Sequence, residues 1–162
     1  MPKERIVFFM SYARLNKRLA TRFLEYFSEQ ASASKRYRYE LWSDANILAG
    51  EDWHREIQNA LAKCNLGLLL LSPAFLGSSY IANHELGNFV GEKASKPLIP
   101  VLLQPVDFEY QDLQGLDEKQ IFRLDKPKFH SPKAFGECLG NQRNEFALQL
   151  FRHVEKRLGK LR

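Results

Sequence analysis

Several common signatures are scarce or missing in this sequence, and each gap removes a class of function. Its 162 residues include two cysteines, Cys64 and Cys138, in no Cys-x-x-Cys spacing. That argues against a disulfide scaffold and a cysteine zinc site, and it fits a reducing compartment. No apolar stretch approaches the roughly 20 residues that a membrane-crossing helix needs. The start, Met1-Pro2-Lys3-Glu4-Arg5, lacks the apolar region and small-residue cleavage site of a signal peptide. The expected location is therefore cytoplasmic, with no membrane partner. Neither G-x-G-x-x-G nor G-x-x-x-x-G-K-[ST] occurs, so the common nucleotide loops are missing. Phe8-Phe9-Met10-Ser11 offers no carboxylate for magnesium, which argues against a phosphate-receiving regulator. No metal site and no resident cofactor is expected. There is no internal repeat and no low-complexity tract.

What is present is an ordinary globular composition, 44% hydrophobic and 27% charged. The length suits one domain over residues 1–162, expected to belong to a longer protein. The net charge is +5, and most of it lies at one end. Arg152, Lys156, Arg157, Lys160 and Arg162 face Glu155 alone over the last eleven residues. Such a helix reads as a solvated face or a linker, so direct nucleic-acid binding is not expected.

Three runs are almost purely apolar: Ile6 to Met10, Leu66 to Leu71 and Leu98 to Leu103. Continuous hydrophobicity at strand length implies burial on both faces, as in a parallel sheet covered by helices. Tyr37 to Trp42 is a shorter strand candidate and Ile121 to Leu124 a weak one. Helical spacing separates them, in Leu15, Leu19, Phe23 and Phe27, then in Trp53, Ile57, Ala60, Leu61 and Cys64. It returns in Phe146, Leu150, Val154 and Leu158. Residues 107 to 144 read as loops with short helices. The order indicates a doubly wound α/β sheet, mainly parallel, with helices on both faces. Ligands then bind beyond the carboxyl ends of the strands.

Those ends carry three motifs. Ser11-Tyr12-Ala13-Arg14 offers groups that suit a sugar, a base or a phosphate, but also a helix cap and loop packing. After the second strand, Asp44 and Asn46 suit a turn, and Ile47 and Leu48 are apolar in an expected exposed loop. Either they fold back onto the domain or they form a contact surface. Gly50 can supply a positive φ, and Glu51 and Asp52 suit a helix start. After the third strand comes Ser72-Pro73-Ala74-Phe75-Leu76, and then Glu85. A helix over Ile81 to Val90 aligns Ile81, Glu85 and Phe89, with Ala82, Leu86 and Val90 beside them. An ionised carboxylate there is costly unless paired. Chemistry is one reason for it; an ion pair with Arg14 or a backbone N–H is another. His84 falls on a different face and reads as a surface residue.

Taken together these pieces resemble the TIR (Toll/interleukin-1 receptor) domain family, of the kind common in bacteria. The resemblance rests on Phe8-Phe9-Met10-Ser11-Tyr12, on Trp42-Ser43-Asp44 leading to Leu48-Ala49-Gly50-Glu51-Asp52-Trp53, and on Leu68 to Phe75. Ser79-Tyr80 followed by Glu85, and Pro97 to Leu103, complete it. It implies a flavodoxin-like fold. It also implies one of two functions, cleavage of NAD⁺ at the nicotinamide–ribose bond or signalling by TIR–TIR assembly. In the enzymes a glutamate after the third strand is catalytic, and Glu85 matches it. The resemblance makes NAD⁺ a substrate rather than a cofactor. Phe9, Tyr12 and Tyr80 become candidate aromatic contacts, and Ser11, Arg14, Asp44 and Ser78 candidate polar ones. The stretch Ala45 to Asp52 matches the family's BB loop, so Ile47, Leu48, Gly50 and Trp53 become candidate assembly residues. The expected setting is bacterial immunity, such as antiphage defence, or action as an effector.

The sequence departs from the family at two points. Ile81 stands where a tryptophan often precedes the glutamate, and Ala13 separates Tyr12 from Arg14. The rival expectation is a non-catalytic interaction module. A third is another N-glycosidic enzyme, such as a nucleoside deoxyribosyltransferase, against which the BB-loop match counts.

Overall fold

The computed structural model describes residues 2–48, 53–78 and 96–160, with the backbone alone for 43–48 and 53–54. In chain order the elements are β1 (Glu4–Tyr12), α1 (Lys17–Ser32), β2 (Tyr37–Leu48), α2 (Trp53–Lys63) and β3 (Leu66–Leu71). The short α3 (Pro73–Leu76), β4 (Leu98–Leu102) and the long α4 (Asn141–Gly159) follow. The four strands pair in parallel in the order β2-β1-β3-β4. This is the flavodoxin-like arrangement, and it reverses direction between β1 and β3.

Alternation along the apolar strands sorts their side chains into two cores. Ile6, Phe8, Met10 and Tyr12 of β1 join Leu66, Leu68 and Leu70 of β3 on the face covered by α1 and α4. Phe9 and Ala13 join Leu69 and Leu71 on the face covered by α2 and α3. A strand buried on both sides needs apolar residues at every position, which is why these runs do not alternate with polar ones. Each fully buried Leu or Phe contributes about 1.5–3 kcal/mol. The first face is aromatic. Phe23 meets Phe135 at 5.5 Å and Phe146 at 6.5 Å between ring centroids, and Phe8 meets Phe27 at 5.5 Å.

The two cysteines fall in opposite cores, Cys64 under α2 and Cys138 beside α4, both as free thiols. Burial raises the pKa of each above the usual thiol value. No helix among the described residues is long and apolar enough to cross a membrane.

Three details differ from the expectation set by the sequence. The second strand does not stop at Trp42. It pairs up to Phe8↔Leu41, breaks register, and resumes with Met10↔Asn46, Ser11↔Ile47 and Tyr12↔Leu48. Residues 42–45 stand opposite Phe9 alone, so the turn formers Asp44 and Asn46 mark an extended bulge rather than the end of the strand. Second, Leu15 does not join Leu19, Phe23 and Phe27. It sits in a 3-10 turn (Arg14–Asn16) before α1 and is 84% exposed. Third, the segment read as loops over 107–144 passes into α4 at Asn141, and its irregular part, residues 107–140, supplies buried Leu116, Ile121, Leu124, Ala134 and Phe135. Within them Phe122 pairs with β4 on the parallel pattern, its N–H donating to Pro100 O at 2.8 Å and its carbonyl accepting from Leu102 N at 2.9 Å. That bridge is a rudimentary fifth strand.

One polar cluster ties α4 to the sheet. The Tyr39 hydroxyl donates to Glu155 Oε2 at 2.6 Å, and Ser34 Oγ donates to the same oxygen at 2.9 Å. Ser34 Oγ also accepts from Tyr37 N at 3.1 Å. Burial, and then the Glu155 carboxylate, push the Tyr39 phenol well above its ordinary pKa. Tyr39→Phe is expected to cost about 1.5–3 kcal/mol, the loss of a hydrogen bond to a charged group. The unfolded phenol ionises near pH 10 while the folded one keeps its proton, so above that pH the folded state binds more protons and stability falls as pH rises. Urea unfolding at pH 8 and pH 10.5 checks this. Tyr39→Phe should be less stable at pH 8 and lose less on going to pH 10.5.

Candidate functional site

The reversal between β1 and β3 leaves a crevice beyond their carboxyl ends, where ligands bind in sheets of this topology. β1 delivers Ser11, Tyr12, Ala13 and Arg14 to it, and β3 delivers Ser72. The two loops are joined directly. Ser72 Oγ donates to Asn16 Oδ1 at 2.7 Å and accepts from Phe75 N at 3.0 Å. One fully buried hydroxyl thus caps α3, with Pro73 at its first turn, and holds the 3-10 turn that carries Arg14. Neither Ser72 nor Asn16 was among the expected site residues. The Ser-Pro pair after an apolar strand is a readable capping signal, but the Asn16 contact spans 56 positions and has no local trace.

The strand-borne candidates divide between the two faces. Phe9 and Ser11 have the parity of the α2 side, whereas Tyr12 packs into the α1–α4 core. Phe9 is fully buried, and its ring fills the space over Gly67. Phe9 therefore packs against Gly67 in the α2-side core. Ser11 is fully buried and Tyr12 is 4% exposed. Burial raises the Tyr12 phenol pKa, so the hydroxyl is neutral at physiological pH. Arg14 is exposed at the crevice rim, and Ser78 is half-buried just after α3.

Ser78 N–H donates to Phe75 O at 3.3 Å, and Gly77 N–H to Pro73 O at 2.8 Å. Beside this turn lies a cavity of about 280 Å³ lined by Pro73, Leu76, Gly77, Gln111, Asp112 and Gln114. Gln114 of that lining is held on two sides. Its backbone has φ 56°, its N–H donates to Asp112 Oδ1 at 2.8 Å, and its Nε2 donates to Leu76 O at 3.0 Å. Gln114 comes from the irregular segment, whose poor periodicity hid it.

Asp44 lies in the bulge of β2, and Ile47 and Leu48 lie on the paired stretch rather than in an exposed loop. Ser11 and Tyr12 stand in register with Ile47 and Leu48, and continued pairing at the end of β1 is the physical reason for the longer strand. Trp53 begins α2. Gly50, Tyr80 and Glu85 lie outside the described residues, as does the expected helix over Ile81 to Val90.

Gln104 and Gly136 meet just beyond the end of β4. The Gln104 and Leu103 N–H groups both donate to Leu71 O, at 3.2 Å and 2.8 Å. Gly136 N–H donates to Leu103 O at 2.8 Å, and a Cβ on Gly136 would meet that carbonyl at 2.9 Å. Close backbone contacts therefore tie the segment around Gly136 to the ends of β3 and β4.

A protein-family model described as the TIR domain matches residues 8–137. No curated protein matches the chain.

Proposed function

Since the chain belongs to the TIR domain family, we propose that it cleaves NAD⁺ at the nicotinamide–ribose bond, with Glu85 as the catalytic carboxylate. The observation that carries this reading is the path of the chain. The Ser72-capped α3 turn leaves the switch-point crevice and runs at Ser78 into the sequence Ser79-Tyr80 through Glu85.

The chemistry suits a single carboxylate. Nicotinamide departs from a cationic pyridinium. The electron pair of the breaking C1′–N bond neutralises the ring nitrogen, so the leaving group needs no proton. The usual two-carboxylate pair of sugar hydrolysis is then half redundant. Positive charge develops on the ribose instead. A carboxylate beside it stabilises that charge and accepts from ribose hydroxyls, more strongly where water is excluded. Attack by water gives ADP-ribose, and attack by a nucleophile within the product gives a cyclised form. Ser11 and Arg14 at the end of β1, with Ser78 after α3, are the proposed polar contacts to ribose and phosphate. Tyr12 and Tyr80 are the proposed aromatic contacts, and Asp44 a further polar one. Cytoplasmic immunity or effector action is the proposed setting.

Family membership supports TIR–TIR interaction, and assembly is the proposed trigger. The test is nicotinamide release from NAD⁺ by the purified chain, first dilute and then clustered on a multivalent support. Turnover that rises on clustering supports the reading. Silence in every assembled state, with self-association intact, would leave a non-catalytic interaction module as the function.

The β2 edge provides a separate check. Ile47 and Leu48 lie on a strand with β1 on one side and no further described strand on the other. Ile47→Asp is expected to lower clustered turnover about tenfold or more, the cost of a charge desolvated without a partner at an interface. Sedimentation of the same variant should show weaker self-association with an unchanged melting temperature. Full activity would remove this edge from the assembly.

A further inference from the structure

A second cavity lies away from the switch point, as a groove of about 500 Å³ between α4 and residues 122–127. One wall is aromatic. The Phe122 and His153 rings lie 5.8 Å apart at 39°. Four cations line it: Arg123, Lys126, Arg152 and Lys156. Two are engaged. Lys126 pairs with Glu145 at 2.5 Å, while Arg123 pairs with Glu118 at 3.3 Å and lies 4.6 Å above the Phe108 ring. Arg152 and Lys156 are exposed, and neither forms an ion pair with a described residue.

These two cations are four residues apart on α4 and so project from one side, about one helical turn apart. The carboxylate nearest to them in sequence does not neutralise them. Glu155 is turned to the sheet and held by Tyr39 and Ser34. His153 reports the resulting field. Its pKa is lowered by burial first, and then by Arg157, Lys156 and Lys160.

We propose that this groove binds a small polyphosphorylated anion, of the class of pyrophosphate or a nucleoside diphosphate, with Arg152 and Lys156 holding the phosphates. An Arg fork and a Lys point charge are complementary ways to hold phosphate oxygens. The Phe122 and His153 rings give an aromatic surface against which a base can stack. The volume falls in the range of about 300–1,000 Å³ typical of small-ligand sites. A long nucleic acid fits less well. Its backbone needs a continuous cationic strip, whereas here the free pair is one turn long and Asp125 and Glu145 line the same groove.

The test is calorimetric titration of the whole chain with inorganic pyrophosphate and with ADP at constant ionic strength. Arg152→Ala/Lys156→Ala is compared with Lys17→Ala/Arg18→Ala, which removes the same charge from exposed positions on α1. The groove pair should weaken pyrophosphate binding at least about tenfold, the loss of a hydrogen bond to a charged group. The α1 pair should change it less than about twofold, as distant exposed charges are screened.

Proton NMR gives a second readout, with His153 assigned through His153→Gln. Around its imidazole stand Arg152, Lys156, Arg157 and Lys160 of α4, and Arg123, Asp125, Lys126 and Glu145 at the groove. Bound phosphate should offset the cations and move the His153 titration to higher pH. No binding at millimolar pyrophosphate, equal weakening in both double variants, or an unmoved His153 would overturn the proposal. So would a duplex oligonucleotide that binds more tightly than pyrophosphate at the same salt. Nicotinamide release plays no part in these readouts, so the NAD⁺ reading stands or falls separately.

Discussion

Glu85→Gln is expected to lower nicotinamide release from NAD⁺ by about a hundred- to a thousandfold in kcat, the usual cost of removing one group aimed at transition-state charge. The substitution keeps the shape, removes the negative charge and turns one of the two acceptor oxygens into an N–H donor. Michaelis constants should move much less, because ground-state NAD⁺ carries its positive charge on the departing ring and not on the ribose. An equal fall in kcat and kcat/KM is the mark of an interaction made only in the transition state. Binding through ribose hydroxyls alone would instead raise KM and leave kcat standing. Clustering of the variant must be verified beside the kinetics. If the glutamine variant assembles and turns over at the wild-type rate, Glu85 is not the catalytic group.

The chain is firmly anchored up to Ser78, seven residues before Glu85 in the sequence. Ser72 ties the end of β3 to the end of β1 through Asn16, and Gln114 grips the last turn of α3 through the Leu76 carbonyl. Two buried polar residues thus fix α3 against the sheet. A buried side chain whose hydrogen bonds are satisfied holds one geometry and makes departures from it costly. Rigid supporting elements are what pre-organised charge stabilisation requires.

Much of this arrangement is legible in the sequence, for a stated reason in each case. Leu66 to Leu71 and Leu98 to Leu103 read as buried strands because both faces of the sheet are covered, and the two cores show that parity residue by residue. α4 is legible because Phe146, Leu150, Val154 and Leu158 keep one apolar stripe. The later part of β2 is not. Asp44 and Asn46 have strong turn preferences, but the pairing of Ile47 and Leu48 with the end of β1 satisfies more backbone groups than a free loop would. Leu15 keeps the four-residue spacing of α1 but lies one turn before the helix begins, where the backbone is 3-10 and the spacing no longer maps to a face. The segment that carries Leu116, Ile121, Leu124 and Phe135 has no period, because its core residues hang from turns and isolated bridges. Of the site itself, the strand ends are legible from fold topology. The Ser72–Asn16 bond and the Gln114 anchor are long-range and become visible only when the strands are side by side.

Gly67→Ala is expected to destabilise the fold by about 2–3 kcal/mol, near the upper end of overpacking costs. For a chain of this size that lowers Tm by about 5–10 °C. Gly67 pairs with Phe9 across β1 and β3, and a Cβ there would lie 2.4 Å from Phe9 Cζ and 2.6 Å from Leu98 Cδ1. Phe9 and Leu98 are buried, so neither can swing clear into solvent. A smaller residue at position 9 should relieve the clash. Phe9→Leu alone costs stability by leaving a void, yet the double variant should be more stable than the sum of the two singles predicts by about 1–2 kcal/mol. Additive effects would mean that the ring does not occupy the space over Gly67. The same variants decide what Phe9 does. A ring that packs against Gly67 governs how much folded protein there is, so Phe9→Leu should keep wild-type KM for NAD⁺ per folded molecule. A ring that touches substrate would raise KM whether or not Gly67→Ala is also present, because no rearrangement beneath the sheet can restore a lost contact above it.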